Sequence, residues 1–348
     1  MTADTSKAFD SVRHDVLLDK LGWCGVDGHW FRDWLTDRSQ TVQGGSPNPV
    51  PISHGVVQGS VLGPVLFLIF TNDFASHISY GKVILYADDT QFIDSEEPSN
   101  VDLLQNRIES TLATALNWFT QNSLKINPNK TEFLFLKTRG RRTRDITIRF
   151  GDNILTPVSK AKVLGVVLDP ALTWEHHVTM TVQRCNNVLV GLCKLRNKVP
   201  RELRAFLIET LVFPLLRYCA CVWGGCCVTQ RARLQKVQNF AADLSRRYHI
   251  SATITELGWP TVERMVEEAD VMLINRLMTR ENTPVALKAL LVHRSQVTTR
   301  ISRSSGATLL QLPRVRTELA RRSFNYRALK QWNDQDAAHR SRYGANDM

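Results

Sequence analysis

The sequence predicts an α+β chain, with an antiparallel sheet packed by helices in its first part and helices alone after that. Three observations carry this. Up to about residue 172, helix-period and strand-like runs alternate without the glycine fingerprint of a dinucleotide-binding βαβ unit. KVILYADDTQFI, residues 82–93, sets two β-branched and aromatic runs on either side of Asp88-Asp89, as a hairpin with acids at its turn does. Beyond about residue 175 the apolar spacing is helical throughout.

Taken in order, FDSVRHDVLLDKL and HWFRDWLTDR between residues 9 and 38 predict two short helices, punctuated by Gly25, Asp27 and Gly28. TVQGG and PVPISHGVV predict a strand pair, and VLGPVLFLIFTNDF a helix with Gly63-Pro64 in its first turn. Over 101–122, Leu103, Leu104, Ile108, Leu112, Leu116 and Phe119 recur at helical intervals, giving one apolar face. KTEFLFLK, ITIRF and AKVLGVVLD predict strands. The helices expected next are EHHVTMTVQRCNNVLVGLCKLRN, PRELRAFLIETLVFPLLRYC and TQRARLQKVQNFAADLSRRY.

With 348 residues, 43% hydrophobic and 8% aromatic, the chain has material for a sizeable core, which excludes a disordered polypeptide. The polar opening MTADTSKAFD is no secretory signal. Seven cysteines without framework spacing point to a reducing, intracellular setting. Two apolar stretches, VVQGSVLGPVLFLIF and TLVFPLLRYCACVWGGCCV, are interrupted by polar residues, Gly, Pro214 and Arg217, and predict buried helices rather than membrane spans. The formal charge of +11 is segregated: residues 1–136 hold 9 Lys/Arg against 16 Asp/Glu, and residues 137–348 hold 35 against 17. An acidic part joined to a strongly basic one suggests metal or polar chemistry on one side and a polyanion, nucleic acid first, on the other.

Asp88-Asp89 alone could be a solvated bend, since Asp favours turns. Its company argues otherwise. DTSKAFDSV at 4–12, GVVQGSVLGPVLFLIFTND at 55–73 and YADD at 86–89 fall in an order that resembles the reverse transcriptases of non-LTR, LINE-type retrotransposons. NSLKINPNKTEFLF, KVLGVVLD with LTWEHHV, and RRSFNYRALKQWN extend the likeness over most of the chain.

The resemblance implies a right-hand polymerase palm over 1–172, a helical thumb over 173–250 and a basic helical C-terminal region over 251–348, with fingers largely missing. It implies an RNA-directed DNA polymerase that takes an RNA template, a DNA primer and dNTPs, works in a nuclear and cytoplasmic ribonucleoprotein, and uses two Mg²⁺ ions, with Mn²⁺ as an alternative. Asp4 and Asp88 would be the central metal ligands, supported by Asp89; in-line phosphoryl transfer needs such converging carboxylates. Phe9 would lie under the incoming sugar and reject a 2′-hydroxyl, or be a core aromatic. Gln58-Gly59 would contact the nucleotide, although Val57 stands where the family has Pro. Tyr86 would line the substrate site, and Lys130 would give a proton to pyrophosphate, or be a surface lysine. Ser6, Lys7 and Asp10 are further members of the first motif; Asp10 equally fits the cap of a helix beginning at Ser11.

The chain is expected to begin in the middle of the palm, with only Met1, Thr2 and Ala3 of the strand before Asp4, and so to leave that carboxylate without rigid support. The alternative function is therefore a catalytically silent remnant that only binds nucleic acid. CACVWGGCC at 219–227 lacks the spacing of a zinc knuckle and predicts buried helical thiols. His176-His177 predicts a helix start, not a ligand pair. The basic segment TRGRRTRD reads as a solvated loop, and its Arg density also fits a phosphate contact.

Overall fold

The computed structural model describes residues 1–41, 48–137, 144, 146–195, 197–245, 254–297 and 309–335. The chain divides into two compact units, Met1–Val163 and Leu164–Met348. The division falls at residue 163, ahead of the expected boundary near 172.

In the first unit the elements are β1 (Thr2–Ser6), α1 (His14–Trp23), α2 (Gly28–Leu35), β2 (Ser39–Gln40), β3 (Val50–Pro51), α3 (Leu62–Thr71), β4 (Lys82–Tyr86), β5 (Asp89–Ile93), α4 (Val101–Gln121), β6 (Lys125–Ile126), β7 (Ile148–Phe150), β8 (Asn153–Leu155) and β9 (Ala161–Val163). The central sheet has the order β4-β5-β1-β6, with every neighbour antiparallel. β1 is thus paired on both sides, and Thr2 also exchanges two backbone hydrogen bonds of 2.9 Å with Glu132. The expectation that Asp4 lacks a supporting strand is overturned.

The sheet rests on a core of Leu17, Phe67, Phe70, Phe74, Leu112 and Trp118. α4 buries Leu104, Leu112, Ala115, Trp118 and Phe119, while Leu103 turns outward, since neighbouring helical residues lie about 100° apart. α3 buries Leu66, Phe67 and Phe70 but leaves Val65 and Leu68 exposed, as is Val61 just before it, so the expected burial holds for one face only.

Several expected elements differ. The first helix is split: Phe9–Ser11 form a 3₁₀ turn and α1 starts at His14, so Asp10 caps no helix. A strand pair forms, with β3 inside PVPISHGVV, but its first strand, β2, lies just ahead of TVQGG, most of which is outside the described residues. KTEFLFLK is no continuous strand; it pairs only through single bridges at Glu132 and Phe133. AKVLGVVLD is broken at Leu164 and Gly165, both with positive φ, which extended strands do not allow. TRGRRTRD falls largely outside the described residues.

In the second unit β10 (Val166–Leu168) precedes α5 (Glu175–Lys194), α6 (Arg201–Leu211), α7 (Phe213–Arg217), α8 (Ala220–Trp223), α9 (Val228–Ser245), α10 (Val262–Thr279), α11 (Val285–Lys288), α12 (Arg294–Val297), α13 (Glu318–Arg322) and α14 (Phe324–Asp334). The turn into α5 is organised by Asp169, whose buried carboxylate accepts from the backbone N–H groups of Ala171, Thr173 and Trp174 and from the Thr173 hydroxyl, at 3.0–3.2 Å. Those bonds hold Trp174 at a φ of 67°, from which the helix starts. Val178, Cys185 and Leu189 of α5 pack with Leu234, Val237 and Ala241 of α9 in one core. The helix expected from Pro200 breaks at Val212, ahead of Pro214, whose missing N–H cannot continue the ladder of α6 but fits the first turn of α7. All seven cysteines are free thiols; Cys226 is buried and Cys219, Cys221 and Cys227 are half-buried around the short α8. His177 is buried in the first turn of α5, where its Nδ1 accepts from the Val167 N–H at 3.4 Å. Among the described residues no helix is long and apolar enough to cross a membrane.

Candidate active site

The hairpin register builds the acidic centre. β4 and β5 pair with Tyr86 opposite Asp89, leaving Ala87-Asp88 as a two-residue turn. Such turns need positive φ to match strand twist, and Ala87 takes 51°. For a residue with a Cβ that conformation costs about 1–3 kcal/mol, tolerated where pairing on both sides fixes the turn. On its other edge β5 pairs with β1, and Asp4 stands directly opposite Asp89. The Thr5 hydroxyl donates to the Asp88 carbonyl at 3.3 Å and so ties the turn to β1. Asp88 and Asp89 are half-buried, and Tyr86 beside them is 63% exposed. The side chains of Asp4 and Ser6 are not among those described.

A second cluster forms just past β1. Lys7, with φ 49°, ends the strand, and its carbonyl accepts from the Asp10 N–H and the Ser11 hydroxyl. The resulting turn receives the loop before α3: Gly55 N–H donates to Val12 O at 2.7 Å and Val56 N–H to Phe9 O at 2.9 Å. A Cβ at Gly55 would lie 3.0 Å from the Asp10 Cα, at a φ of +94°, so only glycine permits this approach. Gln58 then reaches Asp10, its Nε2 donating to Oδ1 at 2.9 Å. Gly59 has φ +80° and open space where a Cβ would stand. Ser60 Oγ accepts from the Gly63 N–H at 3.0 Å and donates to Val57 O at 2.7 Å, anchoring the start of α3. The Phe9 ring is half-buried and stacks on Phe67 with centroids 4.8 Å apart.

The structure therefore brings Asp4, Tyr86, Asp88 and Asp89 together on adjoining strands, and Phe9, Asp10 and Gln58 together at the following turn. Lys130 is exposed at the end of a 3₁₀ turn, Pro128–Lys130, after β6. Among the described residues no group of three or more His, Cys, Asp or Glu side chains is placed to hold a metal. The donor set at the hairpin is two carboxylates, with the Asp4 position opposite. Hard oxygen donors open to solvent suit Mg²⁺, which keeps several waters.

Sequence reasoning missed Thr5, Gly55 and a buried link beneath the sheet. Lys20 is 5% exposed; its Nζ donates to Phe70 O at 2.7 Å and Asp73 Oδ1 at 2.6 Å, and Trp118 Nε1 donates to Asp73 Oδ2 at 3.2 Å. The spacing Leu17, Lys20, Leu21 sets the lysine on the apolar stripe of α1, which was the available signal.

Comparison with known proteins matches residues 1–168 to the family described as reverse transcriptase (RNA-dependent DNA polymerase). The chain is 31% identical over 299 residues to the probable RNA-directed DNA polymerase from transposon BS of Drosophila melanogaster, covering 79% of this chain and 32% of that protein. It is 26% identical over 260 residues to the RNA-directed DNA polymerase from mobile element jockey of the same fly, covering 70% and 27%. To the retrovirus-related Pol polyprotein from type-1 retrotransposable element R2 of Popillia japonica it is 27% identical over 179 residues, covering 46% and 24%. The matches span about a third or less of these relatives. The ordered motifs, the pairing of the first and third on one sheet and these likenesses agree: residues 1–168 form a reverse transcriptase domain, and relatives matched are named as RNA-directed DNA polymerases of non-LTR retrotransposons.

Proposed function

We propose that this chain carries the polymerising centre of a LINE-type RNA-directed DNA polymerase, which adds deoxynucleotides to a primer 3′-hydroxyl on an RNA template. The observation that carries the reading is the register setting Asp4 opposite Asp89, with Asp88 in the adjoining turn. In this reading residues 1–172 serve as palm, 173–250 as thumb and 251–348 as a basic C-terminal region, working in an intracellular ribonucleoprotein.

Asp4, Asp88 and Asp89 would hold two Mg²⁺ ions, or Mn²⁺. Bound there, such ions ease formation of the attacking 3′-oxygen and neutralise charge on the leaving pyrophosphate. The Thr5 bond to the turn keeps the two hairpin carboxylates in place beside β1. Asp10 occupies one N–H of the Gln58 amide, leaving its oxygen to accept from the sugar of an incoming dNTP, and Gly59 lets that nucleotide approach the backbone. Phe9, braced on Phe67, would bound the sugar's 2′ side. Tyr86 would line the substrate site from the end of β4, and Lys130 would deliver a proton to pyrophosphate.

The segregation of charge favours a second reading, a catalytically silent chain that binds nucleic acid through residues 137–348. Primer extension on matched RNA and DNA templates with Mg²⁺ separates the two. The polymerase reading expects extension that disappears in the double variant Asp88→Ala/Asp89→Ala. Salt-sensitive RNA binding with no extension, unaltered in that variant, would establish the second reading instead.

A further inference from the structure

The segment RRSFNYRALKQWN lies far along the chain from the acidic centre, and the polymerising chemistry assigns it no task. It spans the end of α13 and most of α14, and with residues 312–315 these helices enclose a cleft of about 670 Å³. Both walls are pinned. Asn333 of α14 donates to Leu310 O at 2.8 Å and accepts from the Leu310 N–H at 2.9 Å, which fixes the approach of the extended wall. Arg327 grips the fully buried Asp270 of α10 at 2.7 and 3.0 Å and donates to Cys221 O and Arg322 O, which fixes the turn between the helices. Gly225 backs this turn so closely that a Cβ there would lie 2.4 Å from Arg322 O.

The lining sets four Lys/Arg against two carboxylates, Glu318 and Asp334, with an aromatic among them. Arg321, Arg322, Lys330 and Tyr326 face the cleft, and residues 309–335 hold six Lys/Arg against two Asp/Glu. Arg322 forms an ion pair with Glu318 one turn earlier, Nε to Oε1 at 3.7 Å, too long for a hydrogen bond, so its buried Nε has no hydrogen-bond acceptor among the described residues. A buried donor in that state is rare without a ligand or water to satisfy it. Arg321 and Lys330 are exposed at the rim, and Tyr326 is half-buried.

We propose that this cleft binds single-stranded nucleic acid, separately from the polymerising centre, with phosphates on Arg321, Arg322 and Lys330 and a base against Tyr326. The volume is that of a small-ligand pocket, room for one or two nucleotides. An aromatic platform beside cations takes unpaired bases, because a duplex keeps its faces stacked inside. The site rests on geometry in the second unit and stands whether or not the chain polymerises.

The test uses the full chain and fluorescein-labelled 12-mers of oligo(U), oligo(dT) and a duplex, followed by anisotropy across a salt series. Arg321→Gln/Lys330→Gln should weaken oligo(U) binding about tenfold near 0.1 M salt and reduce the salt slope by about 0.7 for each lost phosphate contact. Tyr326→Leu should weaken single-strand binding by about tenfold with the slope unchanged. Oligo(dT) binding as tightly as oligo(U) would make the ligand any single strand; preference for oligo(U) would make it RNA. Thermal melting checks the fold of each variant. Cross-linking of 4-thiouridine-substituted oligo(U) to the wild-type chain, mapped by mass spectrometry, decides independently of any variant. Cross-links at Tyr326 and its neighbours support the site; unchanged affinity in the folded variants, or cross-links confined to residues 1–163, overturn it. Primer extension run in parallel keeps the two readings apart, because extension without these cross-links removes the cleft alone, and cross-links without extension remove only the polymerase.

Discussion

Replacing Lys20 tests the packing on which the acidic centre rests. α1 follows β1 after one turn, and the Lys20 ammonium joins it to the end of α3 and, through Asp73, to Trp118 of α4. Its Nζ also lies 4.9 and 4.8 Å from the ring centroids of Phe70 and Trp118. Removing one partner of a fully buried pair costs about 3–5 kcal/mol. The Asp73 side chain keeps 33% of its exposure, so water answers part of the loss, and Lys20→Met should cost about 2–3 kcal/mol while retaining the alkyl packing. Asp73→Ala strands the ammonium against Phe70 O and should cost about 3–4 kcal/mol. The double variant should cost less than the sum by at least about 1 kcal/mol. Urea unfolding, read by hydrogen exchange of the α1 and α4 amides, reports this unit on its own. Costs below about 0.5 kcal/mol that add without coupling would describe an exposed pair and refute the reasoning.

Two further outcomes follow from the same geometry. Gly55→Ala should strain the loop at φ +94° and push it from Asp10, lowering primer extension by about 10²-fold for a shift near 1 Å, while melting moves by only a few degrees; an unchanged rate would separate that loop from the nucleotide. Burial, aided by Arg184, lowers the His177 pKa from 6.5 to about 4. The unfolded chain then takes up a proton that the folded chain refuses, so this stability is complete above about pH 6.5 and is lost as pH falls to about 4, by roughly 3 kcal/mol. Denaturant midpoints for His177→Gln should show a flatter profile across that window.

The parts of this fold carried by local pattern were legible in the sequence. The hairpin at 82–93, the long helices at 101–121 and 175–194, and the order of the three motifs could be read from periodicity and residue type, because each needs only neighbours along the chain. What escaped depended on partners distant in sequence. β1 looked too short to support Asp4, yet Gln91, Thr90 and Asp89 on one side and Ile126 and Lys125 on the other pair with it. Asp10 fitted a helix cap as well as a residue of the first motif, but the chain makes a 3₁₀ turn there and the carboxylate accepts from Gln58, 48 residues away. Gly55 was visible only as the first residue of a motif; its reason is the Asp10 backbone that it touches. Lys20 sat on an apolar stripe, and only the fold supplied Asp73 and Phe70 O to receive it.

The most direct measurement of the central claim is the Mg²⁺-dependent primer-extension rate of the single variants Asp4→Asn, Asp88→Asn and Asp89→Asn beside the wild-type chain, with melting temperatures for each. Asparagine keeps the size of each side chain and removes only its charge. If Asp4 and Asp88 are the principal ligands, each of their variants should lose at least about 10³-fold in rate at nearly unchanged melting temperature, a loss of about 4 kcal/mol in transition-state stabilisation, and Asp89→Asn should lose less. Extension by the wild-type chain that persists undiminished in Asp4→Asn and Asp88→Asn would contradict the assignment of the β1–β5 carboxylates as the polymerising centre.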